Sequence, residues 1–308
     1  MKVGMIGLGK MGANMAERLR RHGHEVVGMD PAKPEADAHT VEELVALLGA
    51  DGQPRVAWSM VPSGAITDGV ISELAAGFAP GDLVIDGGNS NYLDSIRHGE
   101  ALAAKGIGFI DCGTSGGVWG LQNGYALMVG GTDESVAIAR PLFDALAPPS
   151  GKGYAHVGPV GTGHYVKMVH NGVEYGLMQA YAEGYAILDA SPLGIDVEAA
   201  IGAWQEGSVV RSWLLDLLIA ALAETPGLEG IASVAADSGE GRWTVNEAVA
   251  NGVAAPVISA ALFARFTSQH REEDKAMKVI SALRHQFGGH AIEHEGPASS
   301  GSGDGASA

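Results

Sequence analysis

Lys167, His170, Asn171, Glu174 and Tyr175 fall at i, i+3, i+4, i+7 and i+8 of GHYVKMVHNGVEYGLMQAYAEG. That spacing stacks all five on one face of a helix. Val166, Met168, Val169, Val173, Leu177 and Met178 are left to pack around the remaining faces. An ordinary solvated face favours Ala, Glu, Lys, Gln and Arg, the good helix formers. This face instead carries an amine, an imidazole, an amide, an acid and a phenol, and helix-weakening Gly163, Gly172 and Gly176 bracket it. Each side chain offers a different chemistry at a cost in propensity, which marks a binding or catalytic face.

The elements that must position this helix read in two parts. Up to about Val157, short apolar runs alternate with helical segments, the pattern of an α/β doubly wound domain. Candidate strands are Lys2–Ile6, Glu25–Met29, Arg55–Met60, Leu83–Asp86, Gly108–Asp111 and Ala126–Val129, with helices beginning near Lys10, Val41, Gly64, Tyr92 and Glu134. Gly158, Pro159, Gly161 and Gly163 mark a junction, beyond which helical patterns dominate. Helices are expected near His164–Asp189, Asp196–Glu206, Trp213–Glu224, Trp243–Asn251 and Val257–Ser268. The expected organisation is a Rossmann-type dinucleotide-binding domain over 1–158, then an all-α domain over 159–293 for substrate and dimerisation. A Gly-, Ser- and Ala-rich tail over 294–308 follows, with no apolar periodicity and an expectation of disorder.

Gly7-Leu8-Gly9-Lys10-Met11-Gly12 has the G-x-G-x-x-G form. Alone it is a weak signal in a chain with 46 glycines. Its context strengthens it, because it follows the first strand directly and opens a helix. Gly7 permits the tight turn, Gly9 lets a pyrophosphate approach the backbone, and Gly12 allows close helix–strand packing. The helix N-terminus supplies free N–H groups and a partial positive charge for the anion. Asp30 ends the second strand 18 positions after Gly12, where a carboxylate accepts hydrogen bonds from the ribose hydroxyls of NAD and repels the 2′-phosphate of NADP. Lys33 lies close enough to soften that preference.

Asp86-Gly87-Gly88-Asn89-Ser90 and Asp111-Cys112-Gly113-Thr114-Ser115-Gly116-Gly117-Val118-Trp119-Gly120 each follow a strand, where open α/β sheets place their ligands. The first suits a ligand contact through Asn89 or a plain Asx turn. The second exposes backbone N–H groups fit for a carboxylate, or forms a surface loop. Cys112 reads as a small buried hydrophobe. Arg242, Arg265 and Arg284, with His290, lie in or beside aromatic- and Gly-containing segments. They are either solvated or gathered around a phosphate. No Cys/His/Asp/Glu set has metal-ligand spacing, so no metal is expected.

Composition bounds the rest. The 308 residues carry 46% hydrophobic and 18% charged residues, which makes the chain globular and long enough for about two domains. A net charge of −17 excludes nucleic acid as a partner, because a polyanion would be repelled over most of the surface. A single cysteine fits a reducing compartment. The first strand begins at Lys2 with no signal-peptide pattern before it, and the most apolar helix, 213–223, is too short to span a bilayer. The expectation is a soluble cytoplasmic protein with no membrane partner.

GLGKMGAN, DGGNSNY, GTSGGVWGLQNGYALMVGG, GHYVKMVHNGVEYGLMQAYAEG, GEGRWT, ALFARFTSQ and FGGH together resemble the 6-phosphogluconate dehydrogenases, in their shorter, decarboxylating bacterial class. The resemblance runs from Met1 to about Glu293. The related β-hydroxyacid dehydrogenases share the Gly-rich start and the SGG loop. They typically carry an S-T pair where this chain has Asn89-Ser90, and they lack an equivalent of Glu174. The helical domain also lacks the internal duplication of the longer 6-phosphogluconate dehydrogenases, and Arg242 stands where those tend to have Lys.

The resemblance implies oxidative decarboxylation of 6-phosphogluconate to ribulose 5-phosphate and CO₂, with Lys167 as general base and Glu174 as the second proton-transfer residue. Lys167 serves only when neutral, so a lowered pKa is expected. Asn89, Ser115, Gly116, Gly117, His170 and Asn171 would hold the sugar-acid end, and Tyr175, Arg242, Thr244 and Arg265 the phosphate. Arg284 and His290 match positions that enter the site from a neighbouring subunit, which implies a homodimer or a dimer-based tetramer. The cofactor, NAD with NADP as the alternative, would lie on Gly7, Leu8, Gly9, Lys10, Met11 and Gly12, with Asp30, Val61 and Asn89. Two other readings compete: a β-hydroxyacid dehydrogenase that does not decarboxylate, and a dinucleotide-sensing regulator without turnover. Glu174 and the arginine set oppose the first, and the Lys–Glu pair opposes the second.

Overall fold

The computed structural model describes residues 1–49, 52–270 and 274–294. It divides into two compact units, Met1–Asn171 and Gly172 onward. Most of the tail expected to be disordered, 295–308, lies outside the described residues; His294, its first residue, forms an isolated bridge with Ile231.

The first unit is built on a sheet of strands β1 (Lys2–Ile6), β2 (Glu25–Met29), β3 (Val56–Ser59), β4 (Leu83–Asp86), β5 (Gly108–Ser115), β6 (Ala126–Gly131) and β7 (Tyr154–Gly158). Their spatial order is β2-β1-β3-β4-β5-β6-β7. The first five run parallel. Helices α1 (Lys10–Arg21), α2 (Val41–Leu48), α3 (Ala65–Gly77), α4 (Tyr92–Ala103), α5 (Gly120–Asn123) and α6 (Asp133–Leu146) make the connections. Central strands of such a sheet are covered on both faces and read as unbroken apolar runs. Alternate residues then serve opposite cores. Val3, Met5, Val56, Trp58, Leu83 and Ile85 belong to one apolar cluster, and Ile6, Ala57 and Val84 to the other. From β1 the chain winds to β2 on one side and later to β3 on the other. Open sheets bind ligands at the carboxyl ends of strands beside such a reversal.

Three features of this unit differ from the sequence reading. Strand β5 does not stop at Asp111 but continues to Ser115, so Cys112–Ser115 is paired strand rather than loop. Strand β6 runs antiparallel to β5. Ten residues separate the two strands, too few for a parallel crossover, which needs a dozen or more. The seventh strand escaped notice because it is largely exposed, pairs only with β6 and is broken in register near Gly130, so no apolar alternation marks it.

Helix α7 (Thr162–Asp189) begins in the first unit and continues into the second. The second unit adds α8 (Val197–Gly202), α9 (Trp213–Glu224), α10 (Glu240–Ala250), α11 (Pro256–Ser268) and α12 (Lys275–Gly288). Its core gathers Tyr175, Met178, Tyr185, Leu215, Leu218, Leu262, Ile280 and Leu283. Helix α8 ends at Gly202, short of the expected Glu206. Helix α12 was not expected at all. Ala276 through Leu283 are buried without interruption, so these turns of the helix are enclosed on all sides and carry no amphipathic stripe to read.

Helix α7 buries polar and apolar residues alike, with Met168 and Met178 packed as expected. Lys167, Asn171 and Tyr175 are buried, whereas Val166, Val169, Val173 and Leu177 are 37–49% exposed. The apolar residues expected to pack inward therefore include a stripe that faces out in the single chain.

Candidate active site

The Gly-rich turn closes at the carboxyl end of β1. Gly7 sits at φ +85°, a left-handed conformation that strains any residue with a side chain, and donates its N–H to Met29 O at 2.8 Å. A Cβ on Gly12 would overlap Gly7 O, while one on Gly9 would meet nothing within 4 Å. Gly9 thus opens outward as Gly12 packs inward. Helix α1 starts at Gly9 with no capping side chain and no acid in its first turn. Its N-terminal N–H groups are arranged for an external anion. The adjoining cleft, of about 580 Å³, is lined by Leu8, Gly9, Lys10, Asn14, Lys33 and Val118 among others. Asp30, half-buried, accepts from Leu8 N at 2.8 Å and Ala32 N at 2.9 Å. Those two bonds fix its carboxylate beside the turn and leave lone pairs for further donors. Val61, just past β3, packs its Cγ1 toward Gly7. A dinucleotide fits these residues.

Past β4, Asp86 is fully buried and accepts from Gly88 N at 3.0 Å and Ser90 Oγ at 2.7 Å. This is the Asx-turn alternative, and it presents Asn89 on the exposed side. Past β5, Gly116 and Gly117 take φ values of +139° and +52° and turn the chain away.

The head of α7 is fixed by a residue with no role in the sequence reading. Asp111 on β5 is fully buried and accepts from Gly161 N at 2.7 Å and His164 N at 2.8 Å, satisfying N–H groups at the start of the helix. Burial raises its pKa, against the lowering effects of His164 and those two bonds. The helix then lies on bare backbone. A Cβ on Gly163 would stand 2.8 Å from Gly130 N, and one on Gly113 would overlap Lys167 Cβ and stand 2.8 Å from Gly163 O. The glycines of β5, β6 and α7 thus set how closely Lys167 approaches the sheet.

Lys167 Nζ donates to Asn171 Oδ1 at 2.6 Å, and His170 Nδ1 lies 3.0 Å from the same oxygen. Lys167 is 9% exposed. Burial, then the charge of Lys167, hold His170 below its ordinary 6.5, while the bond with Asn171 acts the other way. The imidazole is therefore neutral at pH 7. Asn171 Oδ1 can only accept, which puts the ring proton on Nδ1. Nε2 is then an acceptor, and Ser115 Oγ stands 3.4 Å away to donate. Ser115, His170, Asn171 and Lys167 form one polar chain, assembled from the end of β5 and the first turns of α7.

The second unit holds a separate cluster. Tyr175 is 4% exposed, and the guanidinium of Arg265 stacks 3.3 Å from its ring centroid. Arg265 is 1% exposed; its Nη1 donates to Ala236 O at 3.1 Å and its Nη2 has no partner among the described residues. Burial lowers its pKa to about 10, aided by the charge of Arg284 and opposed by Tyr175, Glu174 and Asp237. Thr244 is buried beside Gly172 and donates to Glu240 O at 2.8 Å. Arg242 is mostly exposed and lies over the Phe266 ring at 4.9 Å. Glu174 is half-buried and His290 exposed. Asp237, also absent from the sequence reading, ties this cluster together through Tyr175 and Arg242.

The first part of the chain, residues 2–158, matches the NAD binding domain of 6-phosphogluconate dehydrogenase, and residues 163–297 match the 6-phosphogluconate dehydrogenase C-terminal domain. The chain belongs to the 6-phosphogluconate dehydrogenase family. A Haloferax volcanii member named as an NAD(+)-dependent, decarboxylating 6-phosphogluconate dehydrogenase is 40% identical over 301 residues, 95% of this chain and 98% of its own. A Treponema pallidum decarboxylating enzyme is 37% identical over 91% of this chain but only 62% of its own length. The difference agrees with the short helical domain seen here. Among solved structures, Plasmodium falciparum 6-phosphogluconate dehydrogenase, studied with NADP+ and with 6-phosphogluconate, superposes with a TM-score of 0.78 at 27% identity, over 93% of this chain and 70% of that one. Among the described residues, no helix is long and apolar enough to cross a membrane.

Proposed function

We propose that the protein oxidises and decarboxylates 6-phosphogluconate to ribulose 5-phosphate and CO₂. The observation that carries this reading is that one helix, α7, bears two groups fit for proton transfer, Lys167 within its polar chain and Glu174 two turns later. A nicotinamide cofactor, when bound, supplies the acceptor for the hydride from carbon 3. Lys167, as the neutral amine, takes the carbon-3 hydroxyl proton and then, protonated, stabilises the oxygen of the enediol formed as CO₂ leaves. Glu174, acting as an acid, delivers a proton to carbon 2 of the substrate, which becomes carbon 1 of ribulose 5-phosphate. His170, neutral, and Asn171 orient Lys167 and, with Ser115, Asn89 and the Gly116–Gly117 turn, bind the sugar-acid end. Tyr175, Thr244, Arg242 and Arg265 bind the phosphate. Incubation with 6-phosphogluconate and NAD or NADP tests the reading. Reduced cofactor and CO₂ appearing in equal amounts support it; reduced cofactor without CO₂ leaves a dehydrogenase that does not decarboxylate.

The preferred cofactor in this reading is NAD. Asp30 is fixed beside the turn by two backbone N–H groups, and a charge held there supports a preference for a ribose hydroxyl over a 2′-phosphate. The working form in this reading is at least a dimer. The exposed Val166, Val169, Val173 and Leu177 stripe gives a second copy an apolar face to cover.

A further inference from the structure

Asp237 makes four bonds within the second unit. Its Oδ1 accepts from Tyr175 Oη at 3.1 Å and from Gly239 N at 3.0 Å, and its Oδ2 from Arg242 Nε at 2.9 Å and Nη2 at 2.8 Å. The side chain is only 6% exposed. Burial acts to raise its pKa, but the bonds from Gly239, Arg242 and Tyr175 outweigh that and hold it below the usual carboxylate range. It is therefore an anion throughout the neutral range.

A tyrosine has one hydroxyl proton, and here Asp237 holds it. With that proton given to Asp237, Tyr175 Oη accepts from Ser238 N at 3.3 Å and from Ser238 Oγ at 3.3 Å. Arg242 likewise presents the donors of one guanidinium edge to Asp237 rather than to a ligand. The donors fit for a phosphate thus already hold a carboxylate, while beside them Nη2 of buried Arg265 has no acceptor among the described residues. Two anions on the same donors repel each other and divide the same protons between them.

We propose that Asp237 is a resident counter-anion that occupies the donors of the phosphate subsite in the empty enzyme and is exchanged for the phosphate when a phosphorylated sugar acid binds. This rests on the assignment of Tyr175, Arg242 and Arg265 to the phosphate end. Asp237 keeps Arg242 and Tyr175 ordered and neutralised between turnovers, and on binding the Tyr175 proton and the Arg242 edge turn from its oxygens to those of the phosphate. It acts through those residues as a positioning and selectivity residue, weakening single phosphate ions while a full substrate, bound at its other end as well, still displaces it.

The test uses inorganic phosphate as a competitive inhibitor against 6-phosphogluconate in the intact enzyme. Asp237→Asn is expected to lower the phosphate inhibition constant roughly 3- to 30-fold, the effect of removing one nearby charge at intermediate dielectric. Asp237→Glu restores the charge and is expected to return the constant toward wild type, and inhibition by unphosphorylated gluconate is expected to change less than about twofold. An unchanged or weakened phosphate affinity in Asp237→Asn overturns the proposal and makes Asp237 a brace. Arg265→Met separates the two levels: if it leaves phosphate inhibition intact, the phosphate assignment itself has failed. Should Asp237→Asn not fold, crystals of the wild-type enzyme with and without phosphate decide. Arg242 leaving Asp237 for a phosphate oxygen supports the exchange, and both Arg242–Asp237 bonds persisting with phosphate bound overturns it.

Discussion

Gly113→Ala tests whether the glycine contact between β5 and α7 sets the position of Lys167. The added Cβ would overlap Lys167 Cβ, stand 3.1 Å from Lys167 Cγ, and stand 2.8 Å from Gly163 O, a backbone atom that cannot rotate aside. Carbon contacts relax at about 3.5–4.0 Å, so α7 must withdraw from the strand by roughly 1 Å at this turn. It is not free to do so, because Asp111 holds Gly161 N and His164 N one turn earlier. Overpacking of this kind costs about 1–3 kcal/mol of stability. A misplacement of about 1 Å at a reacting group costs on the order of 100-fold in rate. The expected outcome is a folded protein with turnover of 6-phosphogluconate reduced roughly 30- to 300-fold and NAD affinity close to wild type, since the Gly7–Gly12 turn is untouched. Gly184→Ala is the control: the same substitution further along α7, where a Cβ meets nothing within 4 Å, is expected to be neutral or to stabilise by up to about 1 kcal/mol. Steady-state kinetics, cofactor titration by fluorescence and thermal melting read the three quantities. Turnover of Gly113→Ala within threefold of wild type, at normal stability, would refute the claim that this contact positions Lys167.

Lys167→Met is expected to abolish turnover while dinucleotide binding persists; more than a tenth of the wild-type rate removes Lys167 from the base role. Glu174→Gln is expected to impair the step after hydride transfer, read as loss of isotope exchange at carbon 1 of the product. Preference for NAD over NADP is expected at about 10- to 150-fold, or roughly 1.5–3 kcal/mol, and Asp30→Ala is expected to narrow it chiefly by weakening NAD; a higher specificity constant with NADP in the native protein would mean that Lys33 outweighs Asp30. Mixing Arg284→Ala with Lys167→Met subunits asks where Arg284 works: regained activity after verified subunit exchange places it in a neighbour's site, and none means that it acts within its own chain or not at all. His170 is neutral in the fold and has a folded pKa below 6.5, so the unfolded chain binds more protons as pH falls through that value. Its contribution to stability is therefore fully present above pH 6.5 and lost as pH falls toward its folded pKa, and His170→Gln is expected to flatten the melting-temperature profile over that range.

What was legible in the sequence is what depends on short separations. The G-x-G-x-x-G turn, the carboxylate at the end of β2 and the five polar residues of α7 are each defined within about thirty residues, and backbone geometry alone dictates their relative placement. The fold class followed from strand and helix alternation, which is likewise local. Inner and outer faces of α7 were the exception. Periodicity places the valines opposite Lys167 but does not say which side is covered, and a buried polar face is the less common solution.

The residues that sequence reasoning missed act over distance in the chain. Asp111 and the N–H of His164 are 53 positions apart. Arg18, 5% exposed, donates to the carbonyls of Leu121, Ala145, Leu146 and Ala147. In ERLRR it looks like one more surface base. Tyr175 and Asp237 are 62 positions apart, and SVAADSGEGRWT gives an acid next to small residues no distinction from a turn. All three are buried charges, and a buried charge persists only where partners meet it from several elements. That condition is a property of the packed chain rather than of any window along it. Each of these residues also stands one step behind a functional group. Asp111 holds the helix that carries Lys167, Arg18 anchors the helix that opens at the dinucleotide turn, and Asp237 holds Tyr175 and Arg242. Chemistry at the ligand is encoded by residue type and spacing, so it can be read locally. The placement of that chemistry to a fraction of an ångström depends on bonds between distant segments, and a single substitution at any of these three positions reaches the site only through the groups it holds.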